Sequence, residues 1–191
     1  MRITGGTAGR RRLKVPPGHG IRPTPDRVKQ AIFNSLGSRV IRARVLELFA
    51  GSGALGLECL SRGAAGVVCV ERSARHAALI RLNLVEAGLP PERFELRTQD
   101  AFAVIHQLAD AGDCFDLVLA DPPFGDKNIN RRSDSLSQQL LDEPRLAHLL
   151  APDGLFVLGH ASRDTLTLTP PWAESKTIQH GDSAMVFLRV V

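Results

Sequence analysis

The segment that most constrains this chain is Val45-Leu46-Glu47-Leu48-Phe49, which runs straight into Ala50-Gly51-Ser52-Gly53-Ala54-Leu55-Gly56 and then a helical stretch to about Arg62. An apolar run of that length reads as a buried strand, and the glycines after it let the backbone turn sharply and approach a ligand. Glycines at the first, third and sixth places, between a strand and a helix start, are the pattern of a nucleotide-binding turn. A second strand, residues 66–70, ends at Glu71, where a carboxylate can hold ribose hydroxyls. Strand, glycine turn, helix and strand together open a doubly wound α/β sheet.

The remaining pattern repeats that unit. A helix is expected from Pro25 or Asp26 to about 36, with Thr24 as a plausible cap and Val28, Ala31, Ile32 and Leu36 at helical spacing. Further helices are expected over 73–86, 101–110, 136–141 and 145–150, with an interruption at Pro144. Strands are expected over 94–98, 115–120 and 155–160. A closing hairpin joins 176–180 to 184–190 around Gly181-Asp182-Ser183. The expected fold is a Rossmann-like, seven-stranded, mostly parallel sheet ending in a β-hairpin.

A second motif ends the strand over 115–120: Asp121-Pro122-Pro123-Phe124. Two consecutive prolines cannot continue a sheet or enter a helix interior, so the chain turns rigidly there. A carboxylate, a free carbonyl and an aromatic ring are then presented at the carboxyl end of a strand, where ligands bind in open α/β sheets. A flat base with an amino group suits that trio, the oxygens accepting from the amine and the ring stacking on its face. Charge helps to choose the other ligand. Glu47, just before the glycine turn, would repel a pyrophosphate and favour a cation such as the sulfonium of S-adenosylmethionine.

Residues 47–56 resemble motif I of the class I S-adenosylmethionine-dependent methyltransferases, and Asp121-Pro122-Pro123-Phe124 resembles the motif of those that methylate exocyclic amines of bases. More narrowly, the chain resembles the RsmD family. The resemblance rests on Arg2-Ile3-Thr4-Gly5-Gly6 with Gly9-Arg10, on Arg22-Pro23-Thr24-Pro25-Asp26-Arg27-Val28 with Phe33-Asn34, and on Leu48 through Glu58. That family methylates a guanine N2 amine in 16S ribosomal RNA. The resemblance implies S-adenosylmethionine as donor, S-adenosylhomocysteine as product and no metal. Gly51 and Gly53 would approach the donor's methionine part, with Phe49 beside them; Glu47 would lie near its positive end and Glu71 at the ribose. Asp100 would meet the adenine amine, with Ala101 flanking the ring. The segment from Arg22 to Arg27 would fold over the donor, with Thr24 in contact. Asp121, Pro122, Pro123 and Phe124 would hold the target base.

Charge agrees with a polyanionic partner. Arg2, Arg10, Arg11, Arg12, Lys14, Arg22, Arg27, Lys29, Arg39, Arg42 and Arg44 precede the first strand, opposed only by Asp26, whereas the whole chain carries +4. A basic arm, residues 1–22, on a mildly acidic methyltransferase domain, residues 23–191, grips phosphates through Arg and Lys while the site selects the base. Arg2-Ile3-Thr4 and Leu13-Lys14-Val15 are spaced for a small hairpin within that arm. The expected RNA contacts are Arg2, Arg10, Arg11, Arg12, Arg22 and Arg27, together with Arg131 and Arg132 in the loop after the Pro-Pro motif. The partner would be 16S ribosomal RNA, the small ribosomal subunit or an assembly intermediate, met by a monomer.

Cys59, Cys69 and Cys114 are dispersed and form no redox or metal-like pair, which points to reduced thiols and a cytoplasmic setting. No apolar run approaches the ~20 residues of a membrane span. Other readings remain open from the residues: a DNA adenine-N6 or cytosine-N4 methyltransferase, a non-catalytic nucleic-acid-binding protein, or a dinucleotide-dependent oxidoreductase.

Overall fold

The structure, a computed structural model, describes residues 1–16, 24–124 and 131–191. Its elements in chain order are α1 (Asp26–Leu36), β1 (Arg44–Leu48), α2 (Ala54–Ser61), β2 (Gly66–Val70), α3 (Ala74–Ala87), β3 (Phe94–Arg97), α4 (Ala101–Asp110), β4 (Phe115–Ala120), α5 (Leu136–Asp142), α6 (Pro144–His148), β5 (Leu150–Ala161), β6 (Trp172–His180) and β7 (Ser183–Val190). The strands form one seven-stranded sheet in the order β3-β2-β1-β4-β5-β7-β6. Strands β1 to β5 run parallel, and β7 is antiparallel to both β5 and β6. This is the Rossmann-like sheet that the sequence predicts.

Alternation along the strands sorts side chains between two helical layers. Val45, Leu117, Leu119 and Val157 point to one face and pack with Val28, Ile32, Phe33, Leu57 and Ile80 of α1, α2 and α3. Leu46, Val118, Ala120 and Phe156 point to the other and pack with Val104, Ile105, Leu140 and Leu146 of α4, α5 and α6. Each such fully buried side chain contributes about 1.5–3 kcal/mol of apolar transfer.

Two boundaries differ from expectation for the same reason. Strand β5 begins at Leu150 rather than near 155, because Leu150 pairs with Phe115 across an irregularity before the regular Leu117↔Leu155 register. The helix expected over 145–150 therefore stops at His148. Strand β6 likewise begins at Trp172, paired with Val190, and is interrupted between Glu174 and Lys176. Trp172 anchors this edge: it is buried, its ring lies 5.3 Å from Phe156, and its Nε1 donates to the Leu141 carbonyl at 2.9 Å.

The basic arm is folded onto the body. Arg2 and Arg12 form an antiparallel bridge, flanked by Ile3 N–H to Arg11 O and Arg10 N–H to Ile3 O, both 2.9 Å. Ile3, Ala8 and Leu13 are buried in the same apolar cluster as α1 and α2. A polar seam holds the arm to α2. Glu58, fully buried, accepts from Thr4 N–H at 2.7 Å, Thr4 Oγ1 at 2.9 Å and Arg62 Nε at 2.7 Å. Lys29, also fully buried, donates to the Arg2 carbonyl and lies 3.5 Å from Asp26 and 3.9 Å from Glu58. Burial pushes the Lys29 ammonium below its ordinary value, opposed by the charges of Glu58 and Asp26. Asn83 of α3 bonds Lys14 through both its N–H and its carbonyl, and also donates to the Ser52 carbonyl at 3.0 Å.

Candidate active site

Strand order reverses between β1 and β4, and their parallel register pairs Leu48 with Ala120. The glycine turn after β1 and the Asp-Pro-Pro-Phe turn after β4 therefore leave adjacent strands side by side. This is the topological switch point at which open α/β sheets bind ligands.

The glycine turn is built to stay open. Gly51 and Gly53 have φ of +58° and +73°, left-handed values that favour glycine. Beside Gly51 a Cβ would meet nothing within 4 Å, so the turn leaves room for a ligand at its backbone. Phe49 also has a positive φ, +55°, an outlier for a bulky residue and of the kind that gathers at functional sites. Its half-buried ring meets that of Phe102 edge-on, with centroids 6.2 Å apart.

Glu47 and Glu71 support this turn from two sides. Glu71 is buried at the tip of β2; one oxygen accepts from Gly51 N–H and the other from Ser73 N–H, each at 2.8 Å. The oxygen that accepts from Ser73 N–H also lies 3.5 Å from His76 Nδ1. Glu47 is buried beneath the turn. It accepts from Leu55 N–H at 3.1 Å, from the Gly56 amide, and from the Cys69 thiol at 3.3 Å. Gly56 has no side chain where this carboxylate lies, since a Cβ there would sit 2.6 Å from Oε2. Burial raises the Glu47 carboxyl to about 7 despite those three donors, and the Glu71 charge adds to the rise. In this structure Glu47 holds the start of α2.

On the far side of the turn, Asp100 caps α4, accepting from Phe102 N–H at 3.0 Å and Ala103 N–H at 3.2 Å, both through Oδ1. Among the described residues no donor meets Oδ2. Asp100 is exposed and Ala101 buried. Glu71, Asp100, Phe49 and Phe102 thus follow the carboxyl ends of β1, β2 and β3.

Asp121 is the central group of the second turn. Its Oδ2 accepts from Thr24 Oγ1 at 2.6 Å, across 97 positions of sequence. Burial raises its carboxyl above the ordinary aspartate value, opposed by that hydroxyl. Pro122 is buried, Pro123 exposed, and Phe124 39% exposed. Thr24 does not cap α1, contrary to expectation. Pro25 occupies the cap position, where its ring offers no acceptor, and the threonine hydroxyl is committed to Asp121.

The basic residues divide by environment. Arg10, Arg11, Arg12 and Arg27 are exposed, and among the described residues no carboxylate pairs with them. Arg2 is held by Asp26 at 3.0 Å and Arg132 by Asp142 at 2.5 Å. Arg131 is exposed and has a partner of its own. Arg22 lies outside the described residues. Among the described residues no group of acidic, histidine or cysteine side chains is arranged to hold a metal ion, and no helix is long and apolar enough to cross a membrane.

Two clefts open at the opposite, amino ends of the strands, lined by Arg39, Arg42, Asp116 and Gly154 and by Arg44, Gly66 and Phe94. Asp116 there is occupied by Arg44 N–H at 2.7 Å. Sequence reasoning overlooked Lys29, Glu58 and Asn83. Lys29 and Asn83 did carry a signal, each being a polar residue at the buried phase of a helix, beside Ile32 and Phe33 or Ile80 and Leu84.

The family model described as conserved hypothetical protein 95 matches residues 1–189. Ribosomal RNA small subunit methyltransferase D of Escherichia coli (strain K12) is 40% identical over 126 residues, 65% of this chain; the match spans 60% of that protein's length. Putative rRNA methyltransferase YlbH of Bacillus subtilis (strain 168) is 33% identical over 160 residues, covering 84% of this chain and 82% of that protein. Among solved structures, the putative methyltransferase yhhF from Escherichia coli superposes with a TM-score of 0.80 at 30% identity, over 100% of this chain and 97% of the other.

Proposed function

The chain belongs to the conserved hypothetical protein 95 family, the RsmD family of the sequence resemblance, and from that membership we propose that it methylates the exocyclic N2 amine of a guanine in 16S ribosomal RNA, with S-adenosylmethionine as donor. The observation that carries this reading is the pairing of two turns at one switch point: an open glycine turn flanked by carboxylates and aromatic rings, and Asp121-Pro122-Pro123-Phe124 on the neighbouring strand. A ribonucleoside fits the first turn. Space lies open beside Gly51, the Glu71 carboxylate bonded to that turn supports a contact to ribose hydroxyls, and Asp100 keeps an oxygen for an amine. Phe49 and Phe102 supply ring faces, with Ala101 buried next to Phe102 in α4. The bound donor supplies a methyl group made electrophilic by its sulfonium.

The chain's own work is positioning. Guanine's N2 lone pair is shared with the ring, so the amine is a reluctant nucleophile. Hydrogen bonds from it to Asp121 and the Pro122 carbonyl draw the nitrogen toward tetrahedral geometry and aim the lone pair. Phe124 holds the base plane. As the N–C bond forms and the S–C bond breaks, the Asp121 carboxylate offsets the positive charge developing on nitrogen. The extra proton then leaves to Asp121 or to water, and the neutral thioether product is S-adenosylhomocysteine. Alignment of two reactants is worth up to roughly 7–11 kcal/mol in favourable cases. The base must leave its stack to reach such a turn.

The exposure of Arg10, Arg11 and Arg12 on the folded arm, and of Arg27 in α1, supports contacts to phosphates independent of sequence. The substrate is RNA of the small ribosomal subunit or an assembly intermediate, acted on in the cytoplasm by a monomer. The test is nucleoside mass spectrometry after incubation with S-adenosylmethionine and unmodified small-subunit particles, naked ribosomal RNA or duplex DNA. N2-methylguanosine confined to the ribosomal substrates is expected. Methyladenine or methylcytosine in the DNA reaction would replace this reading with a DNA amino-methyltransferase.

A further inference from the structure

The Asp121 carboxylate is confined on two sides. On one, Thr24 Oγ1 donates to Oδ2 at 2.6 Å. On the other, Oδ1 lies over Gly159 of β5, where an added Cβ would overlap it and would also come within 3.1 Å of the Met185 sulfur. Gly159 is itself fixed, since its carbonyl accepts from the buried Ser137 hydroxyl at 2.8 Å. Thr24 is also firmly placed. It precedes Pro25, which restricts it to extended backbone, and it leads into α1, whose Lys29, Ile32 and Phe33 are all buried.

Resting on the methyl-transfer reading above, we propose that Thr24 is a positioning residue for Asp121: its hydroxyl anchors one carboxylate oxygen against the bare backbone of Gly159, leaving the carboxylate one orientation toward the incoming amine. This differs from the donor contact that the sequence resemblance assigns to Thr24. A single oxygen engaged by a hydroxyl at 2.6 Å, on a carboxylate whose other oxygen fills the space that a side chain at Gly159 would take, is an arrangement for orientation. It also bears on protonation. Burial raises the proton affinity of Asp121, the Thr24 hydroxyl is the group that lowers it, and among the described residues no charged side chain contributes. Only the ionised carboxylate accepts from the amine without itself donating, so the hydroxyl keeps Asp121 competent toward lower pH.

The test compares wild type, Thr24→Val, Thr24→Ser and Asp121→Ala in three readouts: kcat on small-subunit particles, donor Kd, and the acid limb of the pH–rate profile. Thr24→Val removes one hydrogen bond to a charged group, so kcat should fall roughly ten- to a hundredfold with donor Kd unchanged. Its acid limb should move to higher pH, and Thr24→Ser should restore both. A kcat within twofold of wild type, an unmoved acid limb, or a loss confined to donor binding would each overturn the proposal. Should Thr24→Val not fold, Gly159→Ala presses on the same carboxylate from the opposite side. Lost turnover with intact donor binding supports the proposal there, and full turnover overturns it. Wild type without transfer, or Asp121→Ala with full transfer, would instead defeat the methyltransferase reading itself.

Discussion

Glu47 should make the fold less stable as pH rises, and removing its charge should cancel that loss. The carboxylate is buried beneath the glycine turn, and burial raises its folded value from 4.5 to about 7. Between those values the folded chain keeps a proton that the unfolded chain has released. Stability therefore falls with rising pH across this window: the contribution is whole below 4.5 and is lost as pH passes about 7. A difference of about two and a half units at 1.36 kcal/mol each limits the loss to about 3 kcal/mol. Glu47→Gln keeps the shape and an oxygen for Leu55 N–H while removing the titration. The stability of Glu47→Gln minus that of wild type should accordingly rise by up to ~3 kcal/mol between pH 4.5 and pH 8 and level off above. For a chain of this length that corresponds to roughly 6–12 °C in Tm. Denaturant unfolding followed by circular dichroism at half-unit pH steps measures it, and groups common to both proteins cancel in the difference. A flat or falling difference curve would show that the carboxylate does not carry a burial penalty, and the account of its place beneath α2 would fail.

Glu58→Gln should cost about 3–5 kcal/mol, because it strips a buried partner from Lys29 and Arg62; it should also loosen the arm, read as faster tryptic cleavage at Arg10–Arg12. Neutralising Arg10, Arg11 and Arg12 together should weaken RNA binding at low salt and flatten the slope of log K against log salt by about 2–3, while donor binding measured calorimetrically stays as in wild type. Asp121→Ala should abolish transfer and leave S-adenosylhomocysteine binding intact; equal loss of both would end the division of labour between the two turns.

What could be read in advance follows the range of the physics. Val45–Gly56 and Phe115–Phe124 were legible because a buried strand, a glycine turn and a double proline act on neighbours a few residues away. The partners of polar groups were not, because they come from elsewhere in the chain. Thr24 next to Pro25 has the local signature of a helix cap, and only the fold brings Asp121, 97 positions on, within reach of its hydroxyl. Lys29 reads as one more cation of the basic stretch before the first strand, yet it is fully buried between Asp26 and Glu58. The charge count therefore overstates what the arm presents to a polyanion: Lys29 is withdrawn into the seam, Arg2 is paired with Asp26, and Arg10–Arg12 are left outward. Asn83 extends the same reasoning. One buried amide spans the backbone of Lys14 and the carbonyl of Ser52, so the segment that carries the outward arginines is tied to the glycine turn itself. Burial of that amide without its partners would cost about 1–3 kcal/mol, which holds arm and turn together as one unit.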